Sequence, residues 1–163
     1  MQFSIPQGIQ RVVLVSNIEN MPVKFEFHPG DLICEFNKSV HHNKIPVDYS
    51  ILKFLFVRHN REKHFFPDNF EKISTTWDNI ILTSPLYGLS TEKWFKDYYK
   101  ATDGKSPTSG FAVYKMVRER RPNMPIIGLG FNLKDTSTPH NPMHAWEYEY
   151  QIYKGDKNFT TVI

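Results

Sequence analysis

Residues 11–16 read Arg-Val-Val-Leu-Val-Ser (RVVLVS), and this short stretch decides the fold. Pro6 and Gly8 punctuate the chain before it, and Asn17 follows it. Its apolar residues are consecutive and rich in valine, with no alternation of polar and apolar positions. A half-exposed strand would alternate. A continuous apolar run belongs to a strand covered on both faces, which is the environment of a parallel sheet.

Similar runs recur outward along the chain. Pro29 and Gly30 introduce residues 31–36 (DLICEF), which read as a second strand. Residues 51–57 (ILKFLFV), 79–83 (NIILT) and 124–131 (MPIIGLGF) read as three more. Helical spacing lies between and after them. Trp94, Phe95, Tyr98 and Tyr99 predict a helix over 91–100, with Ser90 or Thr91 available to cap it. The clearest helix is 109–121, with Phe111, Val113, Tyr114 and Val117 as its apolar stripe. Arg118, Arg120 and Arg121 complement its carbonyl end, and Pro122 stops it. A last helix is expected over 143–154, and 155–163 is expected to be a loosely held polar tail. The segments 41–46 and 68–77 read as surface connections. Buried strands with intervening helices predict an α/β fold, a mainly parallel sheet with helices on both faces, in one domain spanning 1–163.

Composition narrows the function classes. The chain has 163 residues, 40% of them hydrophobic and 15% aromatic, which excludes disorder and allows a substantial core. The formal charge of +3 is scattered apart from Arg118, Arg120 and Arg121. This is sparse for a nucleic-acid binder and suits an anionic small molecule equally well. Cys34 is the single cysteine, so there is neither a disulfide framework nor a cysteine zinc site, and its apolar setting makes it a packing residue. The first residues carry no secretory pattern, and no run approaches the ~20 apolar residues of a membrane helix. A cytoplasmic protein is expected, with no transmembrane segment and room for peripheral membrane contact.

Four places carry candidate chemistry. Pro107-Thr108-Ser109-Gly110 opens the clearest helix, where free backbone N–H groups and two hydroxyls suit a phosphate or a carboxylate. The plainer reading is that Thr108 or Ser109 caps the helix. Asn17 and Asn37 each follow a strand, and ligands of open α/β sheets lie beyond the strands' carboxyl ends. Asparagine is also common in such turns because it tolerates left-handed backbone. His144 could take a proton from a hydroxyl near neutral pH. Glu149 follows it five residues later, off its helical face, with Glu147 and Tyr148 as nearer alternatives. No His-Glu-x-x-His motif and no Asp-x-Asp pair appears, so no metal site is expected. The Walker loop, the dinucleotide fingerprint and the Gly-x-Ser-x-Gly elbow are missing as well.

Taken together, the segments resemble the sialyltransferases that use CMP-sialic acid. They also resemble related bacterial proteins such as the lipopolysaccharide-core transferases for the sugar Kdo. Val15-Ser16-Asn17 and Glu35-Phe36-Asn37 resemble the family's first strand ends. Pro107–Gly110 with Gly130-Phe131 resembles its Pro-Ser/Thr-Ser/Thr-Gly helix start and the strand after it. His144 with Glu149 resembles its final motif. The resemblance spans about residues 11–149. It implies a Rossmann-like domain and a metal-independent, inverting single displacement from a CMP-sugar to a saccharide acceptor, without a further cofactor. Asn17 and Asn37 would hold the CMP phosphate and nucleoside, and Thr108, Ser109 and Gly110 would cradle the phosphate or sugar carboxylate. His144 would be the general base with Glu149 supporting it, and His140 would donate to the leaving phosphate. A non-catalytic nucleotide- or carbohydrate-binding domain is the alternative, and a basic interaction module ranks third.

Overall fold

The computed structural model describes residues 3–17, 24–46, 48, 50–58, 66–82, 92–133 and 144–163. Six strands form a single sheet: β1 (Arg11–Val15), β2 (Asp31–Phe36), β3 (Leu52–Val57), β4 (Asn79–Leu82), β5 (Ile126–Leu129) and β6 (Phe159–Val162). Their order is β4-β3-β2-β1-β5-β6, and every neighbouring pair is parallel. This is a Rossmann-like α/β domain.

The chain steps from β1 to β4 in one direction, returns to the other side of β1 as β5, and continues to β6. Right-handed crossovers then place the two sets of connections on opposite faces. One face carries Val12, Leu14, Leu32, Cys34, Phe54 and Phe56. Against it pack α2 (Lys93–Ala101), α3 (Ser109–Arg120) and α4 (Trp146–Gly155), through Trp94, Tyr98, Phe111, Val117 and Tyr153. The other face carries Val13, Val15 and Ile33 with Ile45 and Ile51, then Leu55 and Val57 with Trp77. Among the described residues the cover there is α1 (Phe70–Ile73), two 3-10 turns and the loops beside them. The uninterrupted apolar runs thus have their reason, because both faces of the central strands are closed. Each fully buried Val, Leu or Phe contributes about 1.5–3 kcal/mol.

Two expectations change. Residues 155–163 are not a loose tail, because Phe159–Val162 pairs with β5 and buries Phe159. The two threonines of β6 are exposed, as an edge strand permits, and they hide it from a search for apolar runs. Gly128 of β5 serves this packing, since a Cβ there would stand 2.7 Å from Phe131 Cγ and 2.8 Å from Phe159 Cζ. The segments 41–46 and 68–77 are more than surface connections, because His41, Ile45 and Trp77 are buried.

Glu35 is what fastens those two connections. It is 1% exposed, yet its carboxylate accepts from the Ser39 hydroxyl and from Trp77 Nε1 at 2.7 Å, and His42 Nδ1 stands 2.7 Å away. The His42 ring stacks on Trp77 with centroids 4.0 Å apart, and its Nε2 lies 2.6 Å from Thr76 Oγ1. One carboxylate therefore ties β2 to both loops. At the amino edge of the sheet, Arg11 makes a bidentate pair with buried Asp31 at 2.6 and 2.7 Å. The arginine cluster at the end of α3 is also partly internal. Arg118 pairs with Asp156 at 2.8 Å and donates to the carbonyls of Pro122 and Met124.

Candidate functional site

Parallel strands bring their carboxyl ends to one edge of the sheet, and the helices that follow begin at that edge. The order reverses between β1 and β5, so the switch point lies where Ser16 and Asn17 stand beside Gly130 and Phe131. Ser16 N–H donates to Leu129 O at 3.0 Å, which holds the two strand ends together.

The predicted asparagines are both on this rim, and both are engaged. Asn17 Nδ2 donates to Phe36 O at 2.8 Å, and its Oδ1 accepts from Val40 N at 3.2 Å. It therefore joins the end of β1 to the turn after β2. Asn37 sits in left-handed backbone at φ 49°, which explains an asparagine there, and its Oδ1 accepts from Arg58 N at 3.0 Å. That bond ties the end of β2 to the end of β3.

The start of α3 is partly occupied by the protein itself. Thr108 is the N-cap, its Oγ1 accepting from Phe111 N at 3.1 Å. Its own N–H and hydroxyl donate to the Glu149 carboxylate at 2.8 and 2.7 Å. Of the three residues expected to cradle an anion, Thr108 is committed to Glu149. Ser109 and Gly110 stay half-buried at the helix start, with Gly110 close against Phe131.

Glu149 is 1% exposed and also accepts from Tyr98 OH at 2.8 Å. Tyr98 OH in turn accepts from Ala145 N at 3.1 Å. Glu149 thus touches the neighbour of His144 through one tyrosine rather than touching His144, and it locks α4 to α2 and α3. Burial pushes its carboxyl up to about 7, against the pull of the donors from Thr108 and Tyr98. A carboxyl raised in the folded state favours folding while protonated. Its contribution is present below the unfolded value near 4.5 and fades as pH rises through about 7. Between those limits wild type should lose roughly 3 kcal/mol relative to Glu149→Gln. Urea unfolding of both proteins from pH 4.5 to 8 measures the difference, and parallel curves would remove the raised carboxyl.

His144 is buried at the opening of the α4 region. Its Nδ1 lies 2.7 Å from Ser106 O, and a carbonyl only accepts, so Nδ1 carries the hydrogen. In the neutral ring Nε2 therefore holds the lone pair. It faces Arg58 Nη1 at 3.2 Å. Burial lowers the His144 pKa, the Arg58 charge lowers it further, and the Ser106 bond opposes both. The outcome is a neutral imidazole of fixed tautomer at the rim. His140 lies outside the described residues.

Arg58 was not anticipated. The signal was present, because it directly follows the apolar run of β3 as Asn37 follows β2. Ser106 and Tyr98 carry no such signal, since only the packing of α2, α3 and α4 brings them to His144. An open surface depression lined by residues 66–72 contains none of these rim residues. Among the described residues no three His, Cys, Asp or Glu side chains gather to hold a metal ion, and no helix is long and apolar enough to cross a membrane.

No family model, curated protein or solved structure matches the chain. The chemistry of the rim is therefore read from its own residues. It offers a hydrogen-bonded neutral base, a cation, a helix start and two asparagines along one edge.

Proposed function

We propose that the protein is a metal-independent, inverting glycosyltransferase that moves a sialic acid or Kdo-type sugar from a CMP-sugar to a saccharide hydroxyl. The observation that carries the reading is His144, a buried neutral imidazole whose Nδ1–H is held by Ser106 so that Nε2 is the base. In the transfer, Nε2 takes the proton of the acceptor hydroxyl as its oxygen bonds to the anomeric carbon. The bond from that carbon to the CMP phosphate breaks, and its electron pair leaves with the phosphate. Arg58, Ser109 and Gly110 supply the cation and helix-start donors for the anionic groups of the donor.

A non-catalytic binding domain of the same fold is the second reading, and one observation favours it. Glu149 already fills the Thr108 donors at the start of α3. Both readings require nucleotide binding, so calorimetry with CMP is the first test. Binding with Kd of about 1 mM or tighter is expected, an affinity of roughly −4 kcal/mol. No heat at that concentration would remove both, and binding of a CMP-sugar without transfer would leave only the second.

A further inference from the structure

We infer that Arg58 is the seat of an oxyanion, and that engaging this anion draws its guanidinium from His144 Nε2 and frees the base. The inference deepens the transferase reading and rests on it for the identity of the anion, a phosphate or carboxylate of the donor.

Two other partly buried arginines are neutralised by carboxylates. Arg11 pairs with Asp31 at 2.6 Å, and Arg118 pairs with Asp156 at 2.8 Å. Arg58 differs. No carboxylate among the described residues pairs with it, and burial alone lowers its pKa. Its side-chain partner is His144, an imidazole kept neutral by the same surroundings. A partly desolvated cation without a counter-ion is costly, and an anion relieves that cost. Its place is fixed as well, since Asn37 Oδ1 holds the Arg58 N–H at the carboxyl end of β3.

The contact with His144 has a chemical consequence. Nε2 has one lone pair, and while it accepts from Arg58 it cannot take a proton from a hydroxyl. Charge-assisted bonds to an oxyanion are about twice as strong as bonds to a neutral acceptor. The guanidinium fork fits such an anion bidentately and turns away from the ring. The base is then available only when the anionic donor is in place. When His144 takes the acceptor proton, it becomes a cation beside an arginine whose charge the anion already balances. Arg58 is a binding residue toward the anion and a positioning residue toward His144.

The test follows the His144 ring by NMR across pH 5–8, in sulfate and in chloride at matched ionic strength. Groups that bear on the ring are Arg58 from β3, the Ser106 carbonyl before α3, the Trp146 edge, and Glu149 through Tyr98 and Ala145. Because Glu149 also titrates in this range, the series is repeated in Glu149→Gln. Sulfate should raise the His144 midpoint by about half a unit or more, as expected when a nearby like charge is neutralised. In Arg58→Gln the midpoint should already be raised, and sulfate should not move it. Arg58→Lys, which keeps the charge and loses the fork, should retain a smaller response and serves if Arg58→Gln does not fold. An unmoved midpoint in wild type, or an equal response in Arg58→Gln, would overturn the inference. The transferase reading fails separately: a sulfate response without transfer from any CMP-sugar removes the reading and leaves the anion seat. Transfer without a sulfate response removes only the inference.

Discussion

Replacing His144 by alanine should lower transfer from a CMP-sugar by roughly 10²–10⁴-fold, the usual loss when a general base is removed. The loss should fall on kcat, with CMP affinity changed little, because the ring takes its proton in the reaction and does not hold the nucleotide. A second signature comes from its pKa. In the free protein burial lowers it, the Ser106 bond opposes and Arg58 adds to the lowering, so kcat/KM, which reports the free enzyme, should hold into mildly acidic solution. The acidic limb of kcat/KM against pH reports this group and should vanish in the alanine variant's residual rate. Unchanged turnover in His144→Ala would take the catalytic reading away. His144→Gln separates hydrogen bonding from base chemistry: its amide can bond Ser106, but it cannot accept the proton.

The largest loss of stability is expected at Glu35, a residue with no role in the proposed transfer. Glu35→Ala deletes the acceptor for Trp77 Nε1 and the Ser39 hydroxyl and removes the partner of His42, all in a buried site. A donor left without a partner in the interior costs about 1–3 kcal/mol. Two such donors and the cavity left by the side chain together predict a loss of about 3–5 kcal/mol. Domains of this size are stable by only about 5–15 kcal/mol, so the variant should unfold at much lower urea. Glu35→Gln should lose less, since its carbonyl can still accept while its amide meets a donor. A loss below about 1 kcal/mol for Glu35→Ala would mean that the two loops are held by packing alone. Trp77 fluorescence follows the same transition, because its indole is in the network.

How much of this could be read along the chain depended on the range of the interaction. The strands were legible because burial on both faces leaves a local mark. Val12 to Val15 and Leu32 to Cys34 are apolar without alternation, and β1 and β2 lie where those runs do. The helix at Ser109–Arg120 was legible for a similar reason, with its cap at Thr108 and its stop near Pro122. β6 was not, because an edge strand needs only one buried residue in four, and Phe159 by itself makes no pattern.

Chemistry-bearing positions were legible one at a time, never as partners. Asn17, Asn37 and His144 could be marked because of where they stand relative to strand and helix ends. That Asn37 would hold the Arg58 backbone depends on β2 and β3 lying side by side in register. That Arg58 would meet His144 joins residues 86 apart in sequence. Glu149 shows the limit most plainly, because only the family resemblance paired it with His144, while the spacing of five put it off that helical face and named no partner. The fold of α4 against α3 instead turns it to Thr108 and Tyr98.

Local residue chemistry by itself determined the layered α/β class, the positions of most strands and helices, and the residue types gathered at the strand ends. Tertiary structure alone decided the strand order, the sixth strand, the burial of Glu35 and Glu149, and the meeting of Arg58 with His144. The reason is physical. Propensity, capping and periodicity act over a few neighbouring residues, whereas desolvation and hydrogen bonding between distant side chains exist only once the sheet has brought them together.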